Sequence, residues 1–397
     1  MPLHRQPKAW LILAGILLIA ANLRAPITAL PPLIEVIQSD YGLSNTGAGA
    51  LTALPLLAFA LLSPISARLS LHWGLERTLF LALLGIATGI LWRSLPYSSA
   101  LFLGTCLIGM GIAAGNVLLP GIIKRDFPNH ITAITGAYAV TMGLAASLGS
   151  ALVVPLAHAW GWHAALLSFL LLPVSALIVW GQACRTPKAE QSVPTKQLLS
   201  SSLPWREPLA WQITFFLGLN STIYYIAIAW LPAIFNEQGL SAQQAGSLHG
   251  AMQLATIVPG LILSPVLRHV THHGLVAASV ALMSAVSLLG WLYAPSLALL
   301  WAVMFGIGTG AGIILGLSFI GMRTHHSQQA ASLSGMSQCI GYLLAATGPL
   351  GMAHLHDITH SWHMPLLLCS ALALIAAGMG YLAGTDRKLP KPITKYT

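Results

Sequence analysis

Gly109-Met-Gly-Ile-Ala-Ala-Gly-Asn-Val-Leu-Leu-Pro-Gly-Ile-Ile-Lys-Arg-Asp-Phe-Pro128 is an oily run that ends in charge. Gly111 and Gly115 stand four apart, so in a helix they share one face and let another backbone approach. Asn116 is a polar side chain in the middle of that run, and Pro120 can bend or break the helix. Lys124 and Arg125 then mark a boundary with water. A soluble core offers little place for such a helix, whereas a membrane bundle offers one readily.

A near-copy follows at Gly306-Ile-Gly308-Thr-Gly310-Ala-Gly312, closing on Arg323, at an offset of 197 residues. Leu43-Ser44 returns as Leu240-Ser241. Arg68, His72 and Gly74 return as Arg268, His272 and Gly274, and Trp162-His163 returns as Trp362-His363. Four matches in one order at nearly one offset argue for a duplicated half of about two hundred residues.

The composition agrees. Of 397 residues, 56% are hydrophobic and 7% are charged, against roughly 25% charged in soluble domains. The net charge of +9 does not indicate a nucleic-acid partner, because the basic residues lie in short loops and form no patch with interleaved aromatics. Cys106, Cys184, Cys339 and Cys369 form no CxxC pair, so free thiols are expected. The first apolar run holds Asn22 and Arg24 and leads to no small-residue cleavage site, so it is expected to stay as a helix. There is no Gly-x-x-x-x-Gly-Lys-Ser/Thr loop, so ATP is not expected as the energy source, and with no catalytic triad or dyad neither an enzyme nor a cofactor is expected.

A bilayer core of ~30 Å needs ~20 apolar residues per helix. That ruler predicts an all-α integral membrane protein with twelve transmembrane helices in two pseudo-symmetric six-helix halves. The first half spans about 9–37, 45–71, 77–95, 99–124, 131–157 and 163–182. The second spans about 208–235, 241–268, 274–293, 297–322, 328–353 and 363–383. Residues 183–207 are polar and proline-bearing and read as a linker between an N-terminal half, 1–182, and a C-terminal half, 208–397. With the N-terminus inside, sixteen of the 18 Lys and Arg residues fall on the cytoplasmic side. Arg93 then sits near the outer end of the third span, and Arg24 lies inside the first. Both termini are expected in the cytoplasm.

Two six-helix halves around a central linker look like the major facilitator superfamily. Asn22-Leu-Arg24-Ala-Pro26-Ile-Thr28 with Pro31-Pro32-Leu33 resembles the first-helix pattern of its cyanate and 2-nitroimidazole transporter family. So do Leu119-Pro120-Gly-Ile-Ile-Lys124-Arg125-Asp-Phe127 and Ala229-Trp230-Leu231-Pro232-Ala233. Gln244-Ala245-Gly246-Ser247-Leu248-His249-Gly250 and Ser334-Gly335-Met-Ser-Gln338 are similar to the 2-nitroimidazole side of that family. The superfamily's loop between helices 2 and 3 is degenerate: its positions read Ala67, Leu71, His72, Gly74, Leu75 and Glu76, without the usual aspartate. The resemblance implies a secondary transporter in a bacterial inner membrane, working by alternating access on a small polar or anionic solute and acting as a monomer. A membrane receptor that binds without net transport is the alternative, and solute flux separates the two.

Arg24 is the strongest single signal. It lies about fifteen residues into the first helix, ~22 Å along the axis at 1.5 Å rise, too deep to reach the surface easily. Insertion there costs ~2.5–3.5 kcal/mol. It is expected to face the central cavity and hold an anionic or dipolar ligand with its planar fork, the other reading being a structural Arg bonded to another helix. Asn116, Tyr138, Asn220, Tyr224, Tyr225, His249, Gln253, Gln338 and Tyr342 are the polar groups of the other inner helices. Each serves equally well as ligand contact or as interhelical hydrogen bond. The pairs His249/Gln253 and Gln338/Tyr342 are four apart and share a face. Aligning Pro32 with Pro232 puts Tyr224 opposite Arg24. The resemblance in the first helix adds Asn22 and Thr28 to the candidate substrate-binding set. Glu35 is the candidate proton-coupling group, with an interfacial helix-end charge as its other reading. His354, His356, His360 and His363 crowd one outer loop at no standard ligand spacing, so no metal is expected.

Overall fold

The computed structural model describes residues 7–43, 45–184 and 204–390. Most of the expected linker lies outside these residues. The described chain is helical throughout. The first span is assembled from α1 (Pro7–Asn22), α2 (Ala25–Thr28), a 3-10 turn (Pro31–Leu33) and α3 (Ile34–Tyr41). Spans two to five are α4 (Asn45–Trp73), α5 (Leu75–Arg93), α6 (Ser98–Asp126) and α7 (Ile131–Trp160). The sixth is α8 (Trp162–Ser168) with α9 (Leu171–Cys184). The second half repeats the series as α10 (Pro208–Glu237), α11 (Ala242–Ala255) with α12 (Val258–His269), α13 (His273–Tyr293), α14 (Ala298–Met322), α15 (Ser327–Thr359) and α16 (His363–Ala383).

Eleven of these segments are long and apolar enough to cross a membrane. The twelfth, α15, has 33 residues, ample for a bilayer, but its serines, glycines and glutamines lower its hydropathy. Protein replaces lipid around it: every residue from Ala330 to Gln338 is buried. It also runs beyond the expected 328–353, as α7 runs beyond 131–157, because nothing after Pro349 or Pro155 breaks the helix before the loops at His360 and Gly161.

The duplication is visible as paired contacts. Gly109 packs on Ala58 and Pro55 of α4, and Gly306 packs on Ala255 and Met252 of α11. Gly111 meets Ala82 and Ile86 of α5, while Gly308 meets Val280 and Ser284 of α13. Gly115 meets Leu23, and Gly312 meets Asn220. Each glycine lets its helix approach where a Cβ would collide. Gly111 and Gly115 therefore serve two different neighbours, and the single shared partner expected from their spacing does not occur. A helix turns by 100° per residue, so residues four apart at a three-helix junction can face different helices.

The halves meet near the end of the bundle that carries Arg77, Lys124, Arg125, Arg206 and Arg323, here called the basic face. Gly136 of α7 lies 2.7 Å from the Gly260 carbonyl of α12, measured from the position of an added Cβ. The corresponding contact in the other pairing is Gly335 of α15 against Ala67 and Ser63 of α4. Gly121 against Ser327 and Gly321 against Ile131 form a second such pair. Gln328 Nε2 donates to the Ser70 carbonyl at 3.4 Å. The halves are thus in contact at the basic face.

Two arginines at matching places finish that face differently. Arg125 joins Glu76, at the start of α5, to Asp126, with Nη2 3.0 Å from the Asp126 carboxylate. Glu76 thus supplies an anion in the loop that lacks the usual aspartate. Arg323 instead donates to the carbonyls of Gly384 (2.8 Å) and Ala383 (3.3 Å) and reaches Asp386 at 3.4 Å.

Candidate substrate site between the halves

The first span breaks where its prolines require. Pro26 has no N–H to offer the Asn22 carbonyl, and the residue before a proline avoids the helical region. The chain turns at Leu23–Arg24, with Arg24 at φ −129°, ψ −51°. Pro31 repeats the effect, so Leu30 N–H bonds Ile27 O at 3.1 Å rather than continuing the α-helix. The turn swings Arg24 off the helix, where it stays half-buried.

Four phenols surround it. The guanidinium lies beside the Tyr225 hydroxyl and near those of Tyr224 and Tyr342. Tyr138 lies near both Arg24 and Tyr342. Tyr224 and Tyr225 sit on α10, Tyr342 on α15 and Tyr138 on α7, so both halves contribute. The Tyr224 hydroxyl donates to Gln253 Oε1 at 2.8 Å. Its ring meets that of Tyr225 edge-on, with centroids 5.6 Å apart. Tyr342 packs on Phe59 at 4.9 Å, and its hydroxyl accepts from Asn116 Nδ2 at a long 3.5 Å. Tyr225, Tyr342, Gln253 and His249 are half-buried, while Tyr138, Tyr224, Asn116 and Gln338 are buried. His249 Nε2 is a buried nitrogen without a partner, one turn from Gln253 on α11. Gln338 lies one turn from Tyr342 on α15.

Three expected members are used elsewhere. Asn22 Nδ2 donates to Leu18 O at 2.8 Å, on its own helix. The Thr28 hydroxyl lies 3.1 Å from Ala146 O of α7 and 3.2 Å from Arg24 O. Asn220 Nδ2 donates to Thr309 O at 3.0 Å while its amide fills the groove at Gly312. The side chain of Glu35 lies outside the described residues. Tyr224 was expected directly opposite Arg24, but Leu23 and Asn220 are the matched pair at this depth. The proline-based offset is three residues too long here, because the first span is broken and the seventh is continuous.

Phe59 was not anticipated, since a phenylalanine in an apolar helix carries no distinguishing signal. Of the outer-loop histidines, His356 bonds Glu237 at 3.1 Å and stacks on Trp362 at 4.4 Å. Among the described residues no three His, Cys, Asp or Glu side chains group as metal ligands.

A planar cation fork set among aromatic hydroxyls suits a flat ligand with a pair of oxygens. The fork donates to the oxygens, and the rings cover the faces.

The Major Facilitator Superfamily model matches residues 12–349. The 2-nitroimidazole transporter of Escherichia coli (strain K12) is 50% identical over 95% of this chain and 96% of its own length. The cyanate transport protein of the same organism is 30% identical over 89% of this chain and 92% of its own. Among solved structures, the superfamily transporter FucP in the outward conformation superposes with a TM-score of 0.75 at 12% identity, covering 96% of this chain and 99% of that one. That last likeness concerns the fold alone. With a family match over most of its length and relatives that are transporters, the chain is a multi-pass membrane transporter and belongs to the Major Facilitator Superfamily.

Proposed function

We propose that this transporter carries a small planar solute with a nitro or carboxylate-like oxygen pair, of the 2-nitroimidazole or cyanate kind. Arg24 is its anchor, and Tyr138, Tyr225 and Tyr342 are its walls. The observation that carries the reading is the half-buried Arg24 guanidinium among phenols from both halves. Gln253 and Asn116 orient Tyr224 and Tyr342, with His249 one turn from Gln253 and Gln338 one turn from Tyr342. The relatives' printed substrates, 2-nitroimidazole and cyanate, support the same solute class. Alternating access follows from halves that touch at the basic face. By the positive-inside rule that face is cytoplasmic, which puts both termini in the cytoplasm, residues 183–207 as the linker there, and the cleft facing outward. One chain holds the whole site, so a monomer suffices.

The test is Arg24→Ala, purified and assayed for monodispersity, thermal stability and binding of 2-nitroimidazole and cyanate. Removing an intramembrane charge leaves insertion intact, so stable protein without binding is expected. Unchanged affinity would remove Arg24 from the site. Loss of folding would make it structural. A cytoplasm-dependent reporter fused after Thr397 is expected to be active.

A further inference from the structure

The break in the first span leaves backbone carbonyls without helical donors. The Pro26 carbonyl is one, because Leu30 N–H bonds Ile27 O instead, and it accepts from Nη1 of the buried Arg93 at 2.5 Å. The Thr28 carbonyl is another. Along a helix it would accept from residue 32, or in a 3-10 turn from residue 31. Both are prolines, and neither has an N–H. An unmatched carbonyl is costly inside a membrane.

α7 supplies the missing donor. The Ser150 hydroxyl donates to Thr28 O at 2.8 Å. A helical serine ordinarily turns its hydroxyl back to a carbonyl on its own helix, as Ser147 does to Gly143 O at 3.0 Å. Ser150 leaves the corresponding carbonyl, Ala146 O, to the Thr28 hydroxyl, 3.1 Å away. The two side chains thus exchange acceptors across the two helices. Between them Gly149 lets the α7 backbone approach Ala25, where an added Cβ would lie 3.2 Å from the Ala25 carbonyl oxygen. Ala146, Gly149 and Ser150 share one face of α7. Tyr138, which lies near Arg24, is about three turns earlier on that face. The clasp reaches Arg24 through one turn of backbone, since Arg24 O accepts from the N–H groups of Ile27 and Thr28, each at 3.0 Å.

We propose that Ser150 is a positioning residue for Arg24: its hydroxyl replaces the N–H that the two prolines remove, and so sets where the guanidinium stands beside Tyr138. The inference rests on the reading of Arg24 as the substrate anchor. It gives one face of α7 two tasks, a ligand wall at Tyr138 and a brace for the broken span at 146–150.

The test is 2-nitroimidazole flux in proteoliposomes, with KM and maximum rate read separately. Ser150→Ala is expected to raise KM about fivefold and to leave the maximum rate nearly unchanged, the pattern of weakened binding. Ser150→Thr keeps the hydroxyl and is expected to match wild type. Ser147→Ala, which removes a bond within α7 alone, is the control and is expected to match it too. In an Arg24→Lys background Ser150→Ala is expected to add little to KM, because a flexible lysine stem tolerates a shifted backbone. A substrate-free arm labels Arg24→Cys with a maleimide, the rate being read at that position by mass spectrometry. Adding Ser150→Ala is expected to change that rate several-fold. This arm decides the inference even if 2-nitroimidazole is not carried, a result that would overturn the substrate reading alone. Gly149→Ala presses on the same joint and takes the place of Ser150→Ala if that variant does not fold. The proposal is overturned by an unchanged KM with a lowered maximum rate, which would make Ser150 merely structural. It is also overturned by a Ser150→Thr defect equal to that of Ser150→Ala, or by an unchanged labelling rate.

Discussion

Arg24 and Tyr225 face each other across the two halves, the guanidinium of the first span lying beside the phenolic oxygen of the seventh. The pair brings the broken span of one half next to the unbroken span of the other. Rocking of one half against the other changes their separation.

Tyr225→Phe keeps the ring and removes that acceptor. A hydrogen bond to a charged group contributes about 1.5–3 kcal/mol, and part of that loss is recovered when the ligand itself accepts. Affinity for 2-nitroimidazole is expected to fall about tenfold with little change in melting temperature. Tyr224→Phe, which leaves Gln253 Oε1 without its donor, is expected to lower stability as well. Isothermal titration beside thermal melts separates the two.

Closure of the basic face depends on Gly136 and Gly260 touching. Gly136→Leu cannot fit against the Gly260 carbonyl, so α7 and α12 must part. A cysteine at the buried Ser70 position, beside Gln328, reports the change. In the otherwise wild-type chain Ser70→Cys is expected to react slowly with a membrane-impermeant maleimide. Added Gly136→Leu is expected to raise that rate tenfold or more, and an unchanged rate would show that the gate closes elsewhere.

Gly115→Leu strikes a different joint. The added side chain occupies the place of Leu23, the neighbour of Arg24, so the break in the first span must shift. Proteoliposome flux is expected to fall at least tenfold. Gly85→Ala, which meets nothing within 4 Å, is the control and is expected to transport normally.

His326 caps α15 with its side chain, accepting from the Gln329 backbone N–H at 3.2 Å. Burial, and then the neighbouring His325, hold its pKa below the usual histidine value of 6.5. The unfolded chain therefore binds more protons, so the stability contributed by the neutral ring is complete above pH ~6.5. It is lost as pH falls through the lower folded value, where protonation destroys the cap acceptor. His326→Asn keeps an acceptor that does not titrate. Its melting temperature is expected to drop less than wild type between pH 7 and 5, whereas His326→Ala is expected to cost about 1 kcal/mol at neutral pH. Parallel acid shifts in wild type and His326→Asn would assign the pH dependence to another group.

The sequence by itself determined the class, the halves and nearly every span, because a bilayer demands long apolar helices and a duplicated gene repeats its glycines. Even the partners of Gly109 and Gly306 follow one offset. Arg24 stood out in the sequence too, since a deep charge is costly unless something offsets it. Tertiary structure decided how the polar residues are used. Asn220 and Tyr224 look alike in sequence, yet one bonds Thr309 on another helix and the other bonds Gln253 near Arg24, because a hydrogen bond depends on which helix lies opposite. Arg93 read as a charge near the outer end of its helix. The fold instead buries it against the Pro26 carbonyl, which is free only because two distant prolines break the first span.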